Sequence, residues 1–263
     1  MRSEDYTYLY ALEDNFWWFA GMREITKALL DPILPPGEAR LILDAGCGTG
    51  GMLAWLSRYS GTGKIIGIDL VSDAIRFCQE RGHRYLLQAS VTNLPFQDSV
   101  FDLVTSFDVL VQLPGENSDV QAIREMHRVL RVGGIAFVRV AAYEWMRSGH
   151  DDALGTQRRY SLDEIIEKME SAGFTILRAS YANSLLLPVA ILRRLLLKRI
   201  GLSDSGSDVK PLPPGLSWLN RAFAGIVRSE ALLLKHTGLN LPAGLSAICI
   251  AQKSNVSHRS VSL

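Results

Sequence analysis

Asp44, Gly46, Gly48 and Gly50 form an acid followed by three glycines at alternate positions, within Leu41-Ile42-Leu43-Asp44-Ala45-Gly46-Cys47-Gly48-Thr49-Gly50. The apolar run 41–43 reads as a short buried strand, and Met52, Leu53 and Leu56 follow the glycines at helical spacing. Strand, glycine turn and helix bring backbone N–H groups and a helix N-terminus up to a ligand. Glycine is needed there because the turn demands positive φ and a side chain would block the approach. A dinucleotide fingerprint is spaced G-x-G-x-x-G; this one is D-x-G-x-G-x-G. A carboxylate is a poor neighbour for a pyrophosphate and a good one for an ammonium or sulfonium group. A second acid, Asp69, follows Gly50 by 19 residues at the end of an expected strand over 64–68. That is the distance at which a Rossmann-like fold presents a carboxylate to a ribose, whose two hydroxyls can both donate to it.

A second group of chemically able residues lies at 141–160, past an expected fifth strand over 135–140. It holds Tyr143, Trp145, His150, Asp151, Asp152, Arg158, Arg159 and Tyr160. Polar and aromatic groups on a loop at a ligand-binding sheet edge suit an acceptor site; an ordinary polar connection is the alternative. If an oxygen acceptor must lose a proton, a base is needed, with His150 first, then Asp151 or Tyr160. Tyr143, Trp145 and Arg159 are assigned to the acceptor, as is Gln112 past the fourth strand, which can orient it but is no base. Asp108, at that strand's exit, serves either the ligand or only the turn.

The D-x-G-x-G-x-G motif with Asp69 resembles the first motifs of the class I S-adenosylmethionine-dependent methyltransferases, small-molecule type. The resemblance covers roughly residues 40 to 180 and returns at 245 to 252. It implies a Rossmann-like α/β fold, with a seven-stranded, mostly parallel sheet, strand seven antiparallel between five and six, and helices on both faces. It implies S-adenosylmethionine as cofactor, held by Asp44, Gly46, Gly48, Gly50, Asp69, Leu70 against the adenine face, Ser90, Val91, Phe107 and Asp108. Ser90 stands where the family commonly places an acid that meets the adenine amino group. Two further departures are Val111-Gln112 where Glu-His is common, and Thr156-Gln157 where a histidine often precedes Arg-Arg-Tyr. The family often lays an N-terminal helix over the substrate. The block Phe16-Trp17-Trp18-Phe19, on a helix expected over 11–31, is then either a lid carrying Trp18 or plain core.

The remaining elements must position these residues. One domain of 263 residues is expected. Its parts are an N-terminal helical cap over 1–37, a cofactor-binding core over 38–181, a helical insertion over 182–242, a last strand over 243–253 and a disordered tail over 254–263. Ser72 is expected to cap one helix, and Ser161 with Glu164 to form a capping box at another. His127, on the apolar face of a helix after Asn117, reads as a core or boundary residue. The insertion holds an apolar stretch, 185–200, with Arg193, Arg194, Lys198 and Arg199. Those cations exclude a spanning helix. Arg194 and Lys198 share a side while Arg193 and Arg199 fall elsewhere, so the stretch reads first as a lid and second as a weak peripheral membrane contact. A polar, flexible loop is expected over 201–217.

Hydrophobic residues make up 48% and charged residues 21%, a globular profile, and the net charge of +1 gives no global field for nucleic acid. Cys47, Cys78 and Cys249 are too scattered for a disulfide framework or a zinc site, so no metal is expected. No apolar signal core opens the chain, and a cytoplasmic setting is the expectation. The expected function is methylation of a small, partly apolar acceptor at O, N or C by in-line displacement. The rivals are RNA or protein methylation, a non-methylating reaction such as cyclisation on the same cofactor, and a non-catalytic binding or assembly protein. The oligomeric state is left open.

Overall fold

The computed structural model describes residues 3–199 and 217–254; the side chains of residues 3, 4, 150, 195–199 and 217 lie outside that description. The expected loop 201–217 and tail 254–263 therefore fall almost wholly outside the described residues. The chain runs through α1 (Ser3–Leu12), α2 (Trp17–Leu30), β1 (Leu41–Ala45), α3 (Gly51–Ser60), β2 (Lys64–Asp69), α4 (Ser72–Glu80), β3 (Leu86–Gln88) and β4 (Phe101–Phe107). It continues through α5 (Ser118–Val129), β5 (Leu130–Ala141), α6 (Gly149–Leu154), α7 (Leu162–Ser171), β6 (Phe174–Ala182), α8 (Leu187–Arg199), α9 (Ser217–Thr237) and β7 (Ser246–Lys253).

The strands form one seven-stranded sheet in the order β3-β2-β1-β4-β5-β7-β6. β1 to β5 are parallel, and β7 runs antiparallel to both its neighbours. Both sheet faces are covered, which is why β1, β4 and β7 read as near-continuous apolar runs. Alternate side chains still go to opposite layers. Leu43, Val104, Ala136 and Val138 pack against Ala122, Ile123 and Met126 of α5 and Ile165 and Met169 of α7. Ile42, Leu103, Ile135 and Phe137 pack against Met22, Ile25 and Leu29 of α2, Leu56 of α3, and Val227, Ala231 and Leu234 of α9. Chain order reverses direction at β1, whose neighbours are β2 and β4. The crevice outside the carboxyl ends of β1 and β4 is where such sheets take ligands.

The expected single helix over 11–31 is two, broken at residues 13–16. Glu13 leaves α1 to meet Thr49 and Gly51, and α2 starts afresh where Asn220 of α9 accepts the Trp17 N–H at 2.7 Å. That cap comes from more than two hundred residues away, so no local pattern announced it. Ser72 is likewise not a cap: α4 begins on it, and the preceding Val71 N–H goes to Asp69 Oδ1 at 3.0 Å. Ser161 does cap α7, accepting the Glu164 N–H at 3.1 Å. His127 sits edge-on against Phe174, 4.8 Å between ring centroids, as a boundary residue. The polar connection over 141–160 is more ordered than expected. It contains a 3₁₀ turn (Glu144–Met146) and α6, and it is tied back by a bridge between Ala142 and Tyr160.

Candidate cofactor and acceptor site

The glycine turn hangs from the end of β2. The N–H groups of Gly46 and Cys47 both donate to the Ile68 carbonyl, at 2.9 and 2.8 Å. Gly46 has φ +90°, and a Cβ there would strike the Val109 side chain. Gly48, at φ +54°, is more open: a Cβ would touch only Leu9 of α1, at 3.6 Å. Asp69 joins the two ends of the crevice. Its Oδ2 accepts the Gly48 N–H at 3.0 Å and its Oδ1 accepts the Val71 N–H at 3.0 Å. Burial raises its pKa against the pull of those donors. Next to it, Leu70 is 66% exposed, a free apolar surface at the crevice edge.

The N-terminus of α3 is already occupied by the chain itself. Glu13 Oε2 accepts the Thr49 hydroxyl at 2.5 Å and the Gly51 N–H at 2.9 Å, with Arg81 at 3.5 Å. A helix N-terminus is where a pyrophosphate would sit, and a carboxylate in that place repels one. Asp44 is buried at the end of β1. Its Oδ1 accepts the Thr105 hydroxyl at 2.7 Å, and its Oδ2 has no hydrogen-bond partner. Burial pushes its pKa up to about 7, with Glu13 and Asp69 adding to the rise. Three carboxylates thus converge on one glycine turn, and one of their oxygens waits for a donor. The arrangement fits a ligand that carries positive charge and N–H donors beside a ribose, which describes S-adenosylmethionine. α1 closes this edge: Tyr6 is buried against Ala74 and Phe77 of α4, and burial together with Asp69 and Asp73 raises its hydroxyl pKa.

Between β4 and β5 the structure builds a charged aromatic stack. Asp108, at φ +58°, holds Arg139 through Nη2 at 2.7 Å and Nε at 2.9 Å. The guanidinium lies 4.8 Å from the Trp18 ring centroid and 5.0 Å from that of Phe107. Asp108 is thereby committed to Arg139, and Trp18 covers the carboxyl end of β5. Its neighbour Trp17 packs on Phe223 of α9 at 5.2 Å, so the aromatic block is both core and cover. On the other flank, Ser90 Oγ bonds Thr92 Oγ1 at 2.7 Å and accepts the Thr92 N–H at 3.2 Å, while Val91 is buried in the core.

Two of the three residues assigned as bases have their polar atoms engaged by partners within the fold. Asp151 is buried; its Oδ1 meets Arg159 Nε at 2.7 Å and its Oδ2 accepts Arg159 Nη2 at 3.1 Å and the Ser148 N–H at 2.8 Å. It closes a capping box at α6. Arg159, assigned to the acceptor, also donates to the Ala142 carbonyl at 3.0 Å and is buried as an internal tie. Tyr160 is fully buried; its hydroxyl donates to Asp119 Oδ2 at 2.9 Å, and burial followed by that carboxylate raises its pKa far out of reach. A polar residue in an ordered connection is as easily spent on holding the connection, which composition alone does not reveal. His150 lies in the second position of α6, and its side chain falls outside the described residues. Tyr143 stacks on Trp145 at 5.5 Å and on Tyr181 at 5.1 Å, with its backbone at φ +60°. Trp145 is 65% exposed, and Gln112 is half-buried at the end of the turn Leu110–Gln112.

Glu13, Tyr6 and Arg139 were not singled out by sequence. Only Arg139 carried a signal: a cation within the apolar run 135–140 must find a partner.

A seven-stranded sheet with this order and an acid–glycine turn at its switch point defines a Rossmann-like domain whose crevice fits a cationic nucleoside ligand. Residues 43–138 match a family model described as a methyltransferase domain. The match and the fold support a methyltransferase domain of the class I S-adenosylmethionine-dependent kind, with S-adenosylmethionine as its cofactor. It is 36% identical over 114 residues to the tRNA (carboxymethyluridine(34)-5-O)-methyltransferase of Arabidopsis thaliana, covering 42% of this chain and 26% of that one. It is 32% identical over 142 residues to the fatty-acid O-methyltransferase of Mycolicibacterium smegmatis, covering 51% of each. The chain thus spans about half or less of the length of these two relatives. Among solved structures, one chain of the complex between the Haloferax volcanii Trm112 methyltransferase activator and a methyltransferase matches with TM-score 0.61 and 19% identity, over 96% of both chains. A geranyl diphosphate methyltransferase solved with GPP and sinefungin matches with TM-score 0.54 and 17% identity, over 87% of this chain and 77% of that one. Both likenesses concern the fold.

Proposed function

We propose that this protein transfers the methyl group of S-adenosylmethionine to a small, partly apolar acceptor. The observation that carries the reading is Asp44, a buried carboxylate with one unpartnered oxygen beside two further acids at the glycine turn. Asp44 would accept from the ammonium of the cofactor and Asp69 from its ribose, with the turn at Gly46, Gly48 and Gly50 giving room. Leu70, Ser90, Val91 and Phe107 would line the adenosine, and Asp108 would hold Arg139 at its edge. The cofactor supplies an electrophilic methyl on a sulfonium. The protein's own work is alignment and exclusion of water, with α1 and Trp18 as covers. His150 remains the proposed base for an oxygen acceptor.

An apolar acceptor is supported by the aromatic groups at the carboxyl edge, Trp18, Tyr143 and Trp145, and by the likeness to a fatty-acid O-methyltransferase. The likeness to a tRNA methyltransferase covers 114 residues, but the net charge of +1 offers little for a polyanion. The test is release of S-adenosylhomocysteine with a panel of apolar carboxylates, alcohols and amines, run beside unmodified tRNA. Release with a member of the apolar panel is expected. Release with tRNA alone would move the protein to RNA modification. Cofactor binding with product formed and no S-adenosylhomocysteine would place it in non-methylating chemistry.

A further inference from the structure

The insertion after β6 places an apolar ridge on the outside of the molecule. Leu185, just before α8, and Val189 and Leu192 within it recur at the i, i+4, i+7 spacing of one helix face. They are 50%, 54% and 58% exposed. A lid over an acceptor pocket would bury such a row; here it looks to solvent. The charge around it is one-sided. No Asp or Glu stands between Glu170 and Asp204, while four of that segment's five cations, Arg193, Arg194, Lys198 and Arg199, lie in α8. The whole chain carries only +1, so the positive charge is concentrated here. Of these cations Arg193 is exposed directly beside Leu192. With 13 residues, α8 is too short to cross a bilayer, and no described helix is long and apolar enough to do so.

We propose that α8 docks on an anionic lipid surface, with Leu185, Val189 and Leu192 seated among the acyl chains and the positive charge of the segment drawn to the headgroups. An exposed apolar row in a segment of one-sided positive charge is the pattern of a helix lying in an interface, and that charge favours lipid phosphate over a neutral surface. The ridge is tied to the acceptor side of the molecule: Arg194 Nη2 donates to Ser148 Oγ at 3.2 Å, at the N-cap of α6, three residues after the exposed Trp145. Docking through α8 therefore brings the 141–160 region to the bilayer, where a partly apolar acceptor would be collected. This last step rests on the acceptor reading above; the docking itself does not.

The test uses the full chain without cofactor or acceptor, so it stands apart from any failure of the methyl-transfer reading. The protein is sedimented with phosphatidylcholine vesicles, with and without phosphatidylglycerol, at low and high salt. Binding to the anionic vesicles alone is expected, weakened by salt. Val189→Ser with Leu192→Ser should lower the partition about tenfold or more, and Leu185→Ser alone serves if the pair does not fold. No binding to anionic vesicles at low salt, or equal partition of wild type and variant, overturns the proposal. So does a wild-type dimer in light scattering that becomes monomeric in the variant without vesicle binding, which would make the ridge an interface between copies.

Discussion

At the glycine turn, acids and backbone converge on an open place. In the 141–160 region, charged groups converge on each other. Asp44 keeps an oxygen free, and Asp69 holds two backbone donors at the crevice edge. Asp151 and Arg159, by contrast, neutralise one another in the interior, and Tyr160 spends its hydroxyl on Asp119. Both regions are rich in residues that could do chemistry. The difference is that the glycine turn leaves one acid oxygen, Asp44 Oδ2, without a donor, whereas the ordered connection pairs its acid with an arginine. A charged residue signals a site when its partners are missing.

The sharpest way to break this contrast is at α6. His150→Ala should lower turnover by about 10²–10⁴ and leave cofactor affinity intact, if an oxygen acceptor needs a base. Asp151→Asn should instead reduce stability, because it leaves Arg159 buried without its counter-charge, an effect of about 3–5 kcal/mol. Thermal melts beside initial rates separate the two. An Asp151→Asn protein that melts normally but turns over slowly would return Asp151 to the chemistry.

At the other region, Asp69→Ala removes an anchor for the turn and the acceptor of the ribose hydroxyls, each bond to a charged group contributing about 1.5–3 kcal/mol. Calorimetry should show at least tenfold weaker S-adenosylmethionine binding in a folded protein. Unchanged affinity would dissolve the distinction between the two regions.

The smallest effect sharpens the comparison through pH. Burial holds the Asp44 pKa at about 7, far above its unfolded value near 3.8. A raised carboxyl pKa means that the folded state binds the proton more tightly, so this group's contribution to stability is present at low pH and lost as pH rises through about 7. Cofactor binding runs the other way. An ammonium needs the ionised form, so affinity should fall by up to about tenfold per pH unit below that pKa, with proton release on binding. Asp44→Asn should flatten the affinity profile, and a wild-type profile already flat between pH 5 and 8 would remove Asp44 from the ammonium site.

Much of the cofactor half was legible in the chain. Asp44, the glycines and Asp69 lie within 26 residues of one another and act through backbone geometry, which local spacing encodes. The apolar runs of β1, β4 and β7 were legible as well, while the return of β7 between β5 and β6 was implied by the family resemblance and is the order observed. The acceptor half was legible only as a region. Whether Asp151 faces an acceptor or Arg159 depends on side chains eight residues apart folding back on each other. Whether Tyr160 is a base depends on Asp119, which arrives from another helix.

The sequence by itself determined the switch-point crevice, because period-two burial and positive-φ glycines are properties of neighbours along the chain. Only the tertiary structure decided which charges are spent. Glu13 reached across from α1 to take the N-terminus of α3, Arg139 found Asp108 between two rings, Asn220 capped α2, and the ridge of α8 turned outward. Burial and partnership are set by groups that meet only in the folded molecule, and the charge state of a buried group follows from both.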